Sequence, residues 1–238
     1  MVNIKKLYMK KINSKSRGFT LIELLVVIAV IGILMGMVGP KVFNLLSSSK
    51  VKKSQAIYRS WVTQLYQYKE FYKYFPPFLL EENEGIPTIL SEDMNHDSFI
   101  AALKGMKWLP ETSVWEPLDD ELRDQNKKGR EFHSFSEDEF NSKNYLADAW
   151  EGQNIRIVVD LDGDGLIKLD SSAVDEIVTA LKQDYDPADV DNAKEKLSVI
   201  REKVGVYSLF NSKGDDEFEN EESENVFSWD IAKYIVEE

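Results

Sequence analysis

The longest apolar stretch of the chain runs from Phe19 to Gly39 and carries one charge, Glu23. As a helix it would rise about 31 Å, enough for the roughly 30 Å hydrocarbon core of a bilayer. Pro40 follows and is expected to kink or interrupt the helix, since proline donates no backbone hydrogen bond. From Lys41 to about Tyr74 the apolar positions change to spacings of three and four: Tyr58, Trp61, Val62, Leu65, Tyr68 and Tyr72. That stripe predicts an amphipathic helix lying on a sheet. Pro76-Pro77 would end it.

Beyond that point the pattern breaks into shorter elements. Residues 78–98 read as an irregular linker, Ser98–Lys107 as a short helix stopped near Gly105, and 108–145 as loops around Pro110, Pro117 and Gly129. "NIRIVVD" (154–160) has the β-branched alternation of a strand, with "LIKL" (166–169) as its return after the turn "LDGDG". Helical stretches are expected at Ser172–Gln183 and Ala188–Lys203, the second with an apolar face at Val190, Leu197 and Ile200. "VGVYSLF" predicts a further strand, separated by an acidic loop (211–225) from "VFSWDIAKYIV". The layout is α+β: a long N-terminal helix, half apolar and half amphipathic, packed on a small antiparallel sheet with extra helices.

Charge divides the chain sharply. Residues 1–18 hold six basic side chains and no acid, while the 238-residue chain is −13, so the remainder carries −19. Basic residues before the span place the N-terminus in the cytoplasm and the acidic bulk across the membrane. The acidic balance argues against nucleic acid as a partner, because phosphate contacts require Lys and Arg. With no cysteine there is no disulfide framework to report an oxidising compartment.

Glu23 needs a reason to stand in an apolar run, because a lone carboxylate in hydrocarbon is costly. A secretory signal peptide would have a shorter apolar core and a small-x-small cleavage site; a plain anchor would not need the acid. "RGFTLIELLVVIAVIGIL" (17–34) resembles the N-terminal signature of type IV pilins and of type II secretion pseudopilins. The resemblance implies a basic leader (1–18), a transmembrane assembly helix (19–39), its amphipathic continuation (40–75) and a periplasmic α+β domain (76–238). It implies cleavage after Gly18 by a prepilin peptidase and methylation of the new N-terminus at Phe19. Glu23 matches the family's acid at the fifth mature position. There it can pair with the Phe19 amine of a neighbouring subunit, since a mispaired desolvated charge is left uncompensated.

A weaker resemblance covers the C-terminal half. "LADAWEGQNIRIVVDLDGDG" resembles the Asp-Pro-Trp-Gly strand region of major pseudopilins, with Ala149 where proline is usual. "VYSLFNSKGDDEFENEESENVFSWDI" resembles their calcium loop, although Phe210-Asn211 replace the usual Gly-x step and Trp229 precedes Asp230-Ile231. The helices between the two regions look like an insertion. Two calcium candidates follow. "DLDGDG" places Asp160, Asp162 and Asp164 at alternate positions, as an EF-hand loop opens. Its twelfth position is Ser171 rather than an acid, and Lys168 falls at the ninth. Asp and Gly at such spacing also make ordinary hairpin turns. The second candidate is Gly214–Glu224 with seven acids, Asp215 and Asp216 foremost, which otherwise reads as a solvated charge run.

Enzymatic readings find no support. His96 and His133 lack zinc-ligand spacing, and the glycines of "DGDG" lie among acids that repel phosphate. The sequence therefore predicts a non-enzymatic, membrane-anchored structural subunit of a bacterial inner membrane. Its expected partners are prepilin peptidase, other copies, minor pseudopilins and the inner-membrane assembly platform. A pseudopilus subunit, a type IV pilus subunit and a singly anchored calcium-binding ectodomain remain open.

Overall fold

The computed structural model describes residues 20–80, 84–91, 94–153, 155–209 and 224–236; the side chains of 36–47 lie outside that description. The chain divides into two units, Met1–Leu46 and Ser47–Glu238. Helix α1 (Leu21–Tyr72) is helical through Pro40, where an interruption was expected. Within the described residues of the first unit, Leu21–Met35 presents Leu21, Ile22, Leu24, Leu25, Ile28 and Met35 to the exterior. Among the described residues no helix is long and apolar enough to cross a membrane.

In the second unit the predicted stripe is the core. Tyr58, Trp61, Leu65 and Tyr68 are completely buried, with Val62 and Tyr72 at its margin. They pack on one face of a four-stranded antiparallel sheet of β1 (Thr88–Leu90), β4 (Ile155–Val159), β7 (Val204–Ser208) and β8 (Val226–Phe227), ordered β1-β4-β7-β8. Ile155, Ile157, Val159, Val204 and Val206 face that core by the two-residue alternation of strands. The opposite positions, Val158, Tyr207 and Phe227, enter a second core with α3 (Ser171–Leu181), α4 (Pro187–Leu197) and α5 (Ala232–Ile235). The sheet is thus covered on both faces, and the segment between the two strand regions supplies most of the second cover. Gly205 permits this: a Cβ there would lie 2.8 Å from the Trp229 ring and 3.0 Å from Val158.

Several expectations are corrected. The stretch read as a linker contains β1, and the stretch read as loops contains a hairpin of β2 (Met106–Leu109) and β3 (Val114–Pro117), with Trp108 opposite Trp115. "LIKL" does not return along β4; β5 (Ile167–Lys168) pairs with β6 (Val199–Ile200). Helix α4 ends at Leu197, so Ile200 lies in a strand rather than on the helical face. α2 (His96–Lys104) starts two residues early and stops at the left-handed Gly105, as expected.

Candidate assembly and cation sites

Glu23 sits in the first turn of α1, where its position in the sequence makes a second device that the apolar pattern conceals. Thr20-Leu21-Ile22-Glu23 is a Thr-x-x-Glu capping box. The Thr20 N–H and hydroxyl donate to Glu23 Oε2 at 2.7 and 2.8 Å, and the Glu23 N–H donates to Thr20 Oγ1 at 3.3 Å. Two of the donors left open at a helix start are thereby satisfied. Gly18 and Phe19 lie outside the described residues.

The three aspartates of "DLDGDG" converge as their spacing suggests, with one oxygen of each within 4.8 Å of the others. Asp160, at the end of β4, is buried; its two oxygens accept from the Gly163 and Gly165 N–H groups at 2.7 and 2.9 Å. Both glycines have positive φ (82° and 89°), which a side chain would oppose. The cluster is already partly neutralised from within. Lys168 donates to Asp162 Oδ2 at 2.9 Å and Asp164 Oδ2 at 2.7 Å. Its hydrogen bond to Asp162, joined by the Asp164 N–H, brings the Asp162 pKa down to about 2; both carboxylates in turn raise the lysine's. The ninth-position lysine, not a twelfth-position acid, closes this turn. Asp215 and Asp216 lie outside the described residues.

Two buried polar networks had no counterpart in the sequence reading. In the first, Glu139 joins helix and loop. Its Oε2 accepts from Trp61 Nε1 at 2.6 Å and lies 2.7 Å from His133 Nε2, while its Oε1 accepts from the Ser136 N–H at 2.9 Å. Burial raises the pKa of Glu139, but the bonds from His133, Ser136 and Trp61 outweigh it and hold the group below the ordinary value. Ser136-x-x-Glu139 is again a Ser-x-x-Glu pattern, the one signal that could have found it. In the second network, Tyr58 donates to Ser208 Oγ at 3.0 Å, and Ser208 bonds to the buried Asp148, whose pKa burial raises. Asp148 Oδ1 also accepts from the N–H groups of Trp150 and Gly152 at 2.9 and 2.8 Å. The Ala149 N–H donates to the buried Ser54 Oγ of α1 at 2.8 Å, a bond that a proline at this position could not make. The Asp148–Gly152 turn is thereby fastened to the helix.

The histidines serve structure in the same way, His133 on Glu139 and His96 on Asp97 at 2.9 Å. Among the described residues neither joins a cluster of potential metal ligands.

No curated protein and no solved structure matches the chain. The family model that does match is that of the prokaryotic N-terminal methylation motif, over residues 13–39. The matched segment ends where the apolar run ends and contains Gly18, Phe19, Thr20 and Glu23. The motif implies processing by a prepilin peptidase and assembly with other pilin copies. The chain thus carries a prepilin-type N-terminus, which supports a type IV pilin-like subunit.

Proposed function

We propose that this chain is a structural subunit of a type II secretion pseudopilus, cleaved between Gly18 and Phe19 and N-methylated on Phe19. It is held in a bacterial inner membrane by residues 19–39, with its N-terminus in the cytoplasm and its acidic domain in the periplasm. It acts without catalysis: copies add through their apolar helices, together with minor pseudopilins, on an inner-membrane platform. The observation that carries this reading is the methylation motif at 13–39. A pseudopilus is preferred to a type IV pilus because the chain has no cysteine and so no C-terminal cysteine pair.

Glu23 supplies the register. In the single chain it is held by Thr20; in the fibre the cationic amine of a neighbour's Phe19 competes for the same carboxylate. Exchange of a local cap for an intersubunit ion pair in hydrocarbon favours the one axial offset at which no charge is unpaired. Glu23→Ala should therefore be processed normally, yet amine crosslinking of membranes should give monomers where the parent gives ladders. Parental ladders from Glu23→Ala would overturn this role.

Calcium is the proposed ligand of the acidic chain. The segment around Asp215 and Asp216 is favoured over the Asp160 turn, because Lys168 already occupies two of that turn's three carboxylates.

A further inference from the structure

The helical segment that covers the sheet's second face also borders a cavity of about 560 Å³, between the end of α4, β6 and the turn leading into α5. Its size falls within the range of small-molecule pockets. Val199, Trp229 and Tyr234 give it apolar walls, and Arg201 brings a guanidinium to it. Among the described residues two neutral donors there lack an acceptor. Trp229 is only 4% exposed, and its Nε1 is buried with no hydrogen-bond partner. A Cβ on Gly205 would lie 2.8 Å from Cζ3 and 3.3 Å from Cε3 of this indole, so the benzene edge of the ring faces β7. The N–H stands on the opposite edge of the rigid ring and is directed away from the sheet, to the side where α4 and β6 line the cavity. A buried donor without a partner is costly, and an acceptor placed in the cavity would remove that cost. The second donor is Tyr234. Its hydroxyl accepts the Arg201 N–H at 3.0 Å, which leaves its own proton to give.

Charge narrows the ligand further. Among the described residues the Arg201 guanidinium holds no carboxylate, whereas Lys233 lies 3.5 Å from Asp230. Asp230 and Glu202 also border the cavity and would repel a doubly charged phosphate. One guanidinium with two neutral donors matches a single, planar negative charge, and the guanidinium fork fits a carboxylate. We infer that the cavity binds an apolar residue bearing a free α-carboxylate. The carboxylate takes the Arg201, Trp229 and Tyr234 donors, and the apolar side chain lies against Val199 and the rings. A free amino acid and the C-terminal residue of a protein chain both offer this chemistry. They differ in the ammonium group that only the free amino acid carries beside its carboxylate, and for which Glu202 is an acceptor at the same cavity. Binding here needs neither cleavage at Gly18 nor assembly.

Leucine, N-acetyl-leucine and N-acetyl-leucinamide serve as probes. They are titrated into the detergent-solubilised full-length chain with its tryptophans labelled with nitrogen-15. The chain has five tryptophans, and Trp229→Phe assigns the Trp229 indole signal by removing it. At least one of the two acids should move that signal saturably, and the amide should leave it in place. Arg201 is exposed, so Arg201→Ala should melt like the parent yet bind the acid about tenfold or more weakly, as loss of a charged hydrogen bond requires. Leucine binding more tightly than its acetyl form, with that advantage lost in Glu202→Gln, would identify a free amino acid as the source. The opposite preference would identify a chain terminus. The inference is overturned if neither acid moves the Trp229 signal, if the amide binds as well as the acids, or if Arg201→Ala binds like the parent.

Discussion

Replacing Glu139 by alanine removes the one carboxylate on which α1, the loop at His133 and the Ser136 turn converge. Trp61 is completely buried and its indole N–H has Glu139 as partner at 2.6 Å; orphaning it costs about 1–3 kcal/mol. His133 and the Ser136 N–H lose their acceptor at the same time. Three donors lose their acceptor together, so the low end of that range for each already sums to about 3 kcal/mol. At roughly 2–4 °C per kcal/mol for a domain of this size, a loss of about 3 kcal/mol should make Glu139→Ala melt about 6–12 °C lower than the parent. The assay is thermal unfolding of the detergent-solubilised full-length chain at neutral pH, followed by tryptophan fluorescence. Acid supplies an independent check on the mechanism. The folded pKa of Glu139 is depressed, so the unfolded chain takes up the proton first as pH falls. The stabilisation is therefore full above the unfolded glutamate pKa of about 4.3 and is lost as pH falls through the lower folded value. The gap between the parent and Glu139→Gln should close over that acid window. Melting of Glu139→Ala within 2 °C of the parent, on a scale where ~1 kcal/mol already moves it more, would refute the reasoning.

Two further outcomes follow from the sites. Ala149→Pro removes the N–H donated to Ser54; it should destabilise the chain by about 1–3 kcal/mol in denaturant unfolding. Ser54→Ala in the same chain should recover part of that loss, and a neutral Ala149→Pro would contradict the latch. Calcium should raise the melting temperature relative to chelator, through a stabilisation of about 2.7 kcal/mol at a hundredfold excess over Kd, with magnesium doing less. Asp215→Asn with Asp216→Asn should abolish the shift, whereas Asp162→Asn with Asp164→Asn should leave it. Lys168→Met should add a second calcium-dependent increment by freeing Asp162 and Asp164; no increment would show that the turn lacks a cation site.

What could be read from sequence follows the length and regularity of each signal. The Tyr58–Tyr68 stripe repeats over several turns, and its four anchor residues are completely buried. Ile155–Val159 lies centrally in the sheet with both faces covered, so its β-branched run stood out. β1 has three residues between Pro87 and Ser91, too few to show alternation, and exists through its pairing with β4 some seventy positions away. The same holds for β5, whose adjacency to β4 suggested a hairpin but whose partner is β6 beyond two helices. The Asp160 turn was legible because local spacing dictates local convergence. The Glu139 and Asp148 networks were not, since each joins residues separated by sixty or more positions that only the fold brings together.

The central claim is that the chain is a processed pilin-like subunit, and the mass of its mature form tests it most directly. The protein is extracted from membranes of cells carrying a prepilin peptidase and weighed intact, with the N-terminal peptide fragmented. The mature chain should begin at Phe19 and bear one methyl group on its α-amine, the cationic partner proposed for Glu23 at the fifth position of a neighbouring copy. A mature chain that keeps residues 1–18, or one cut beyond residue 35, would contradict it.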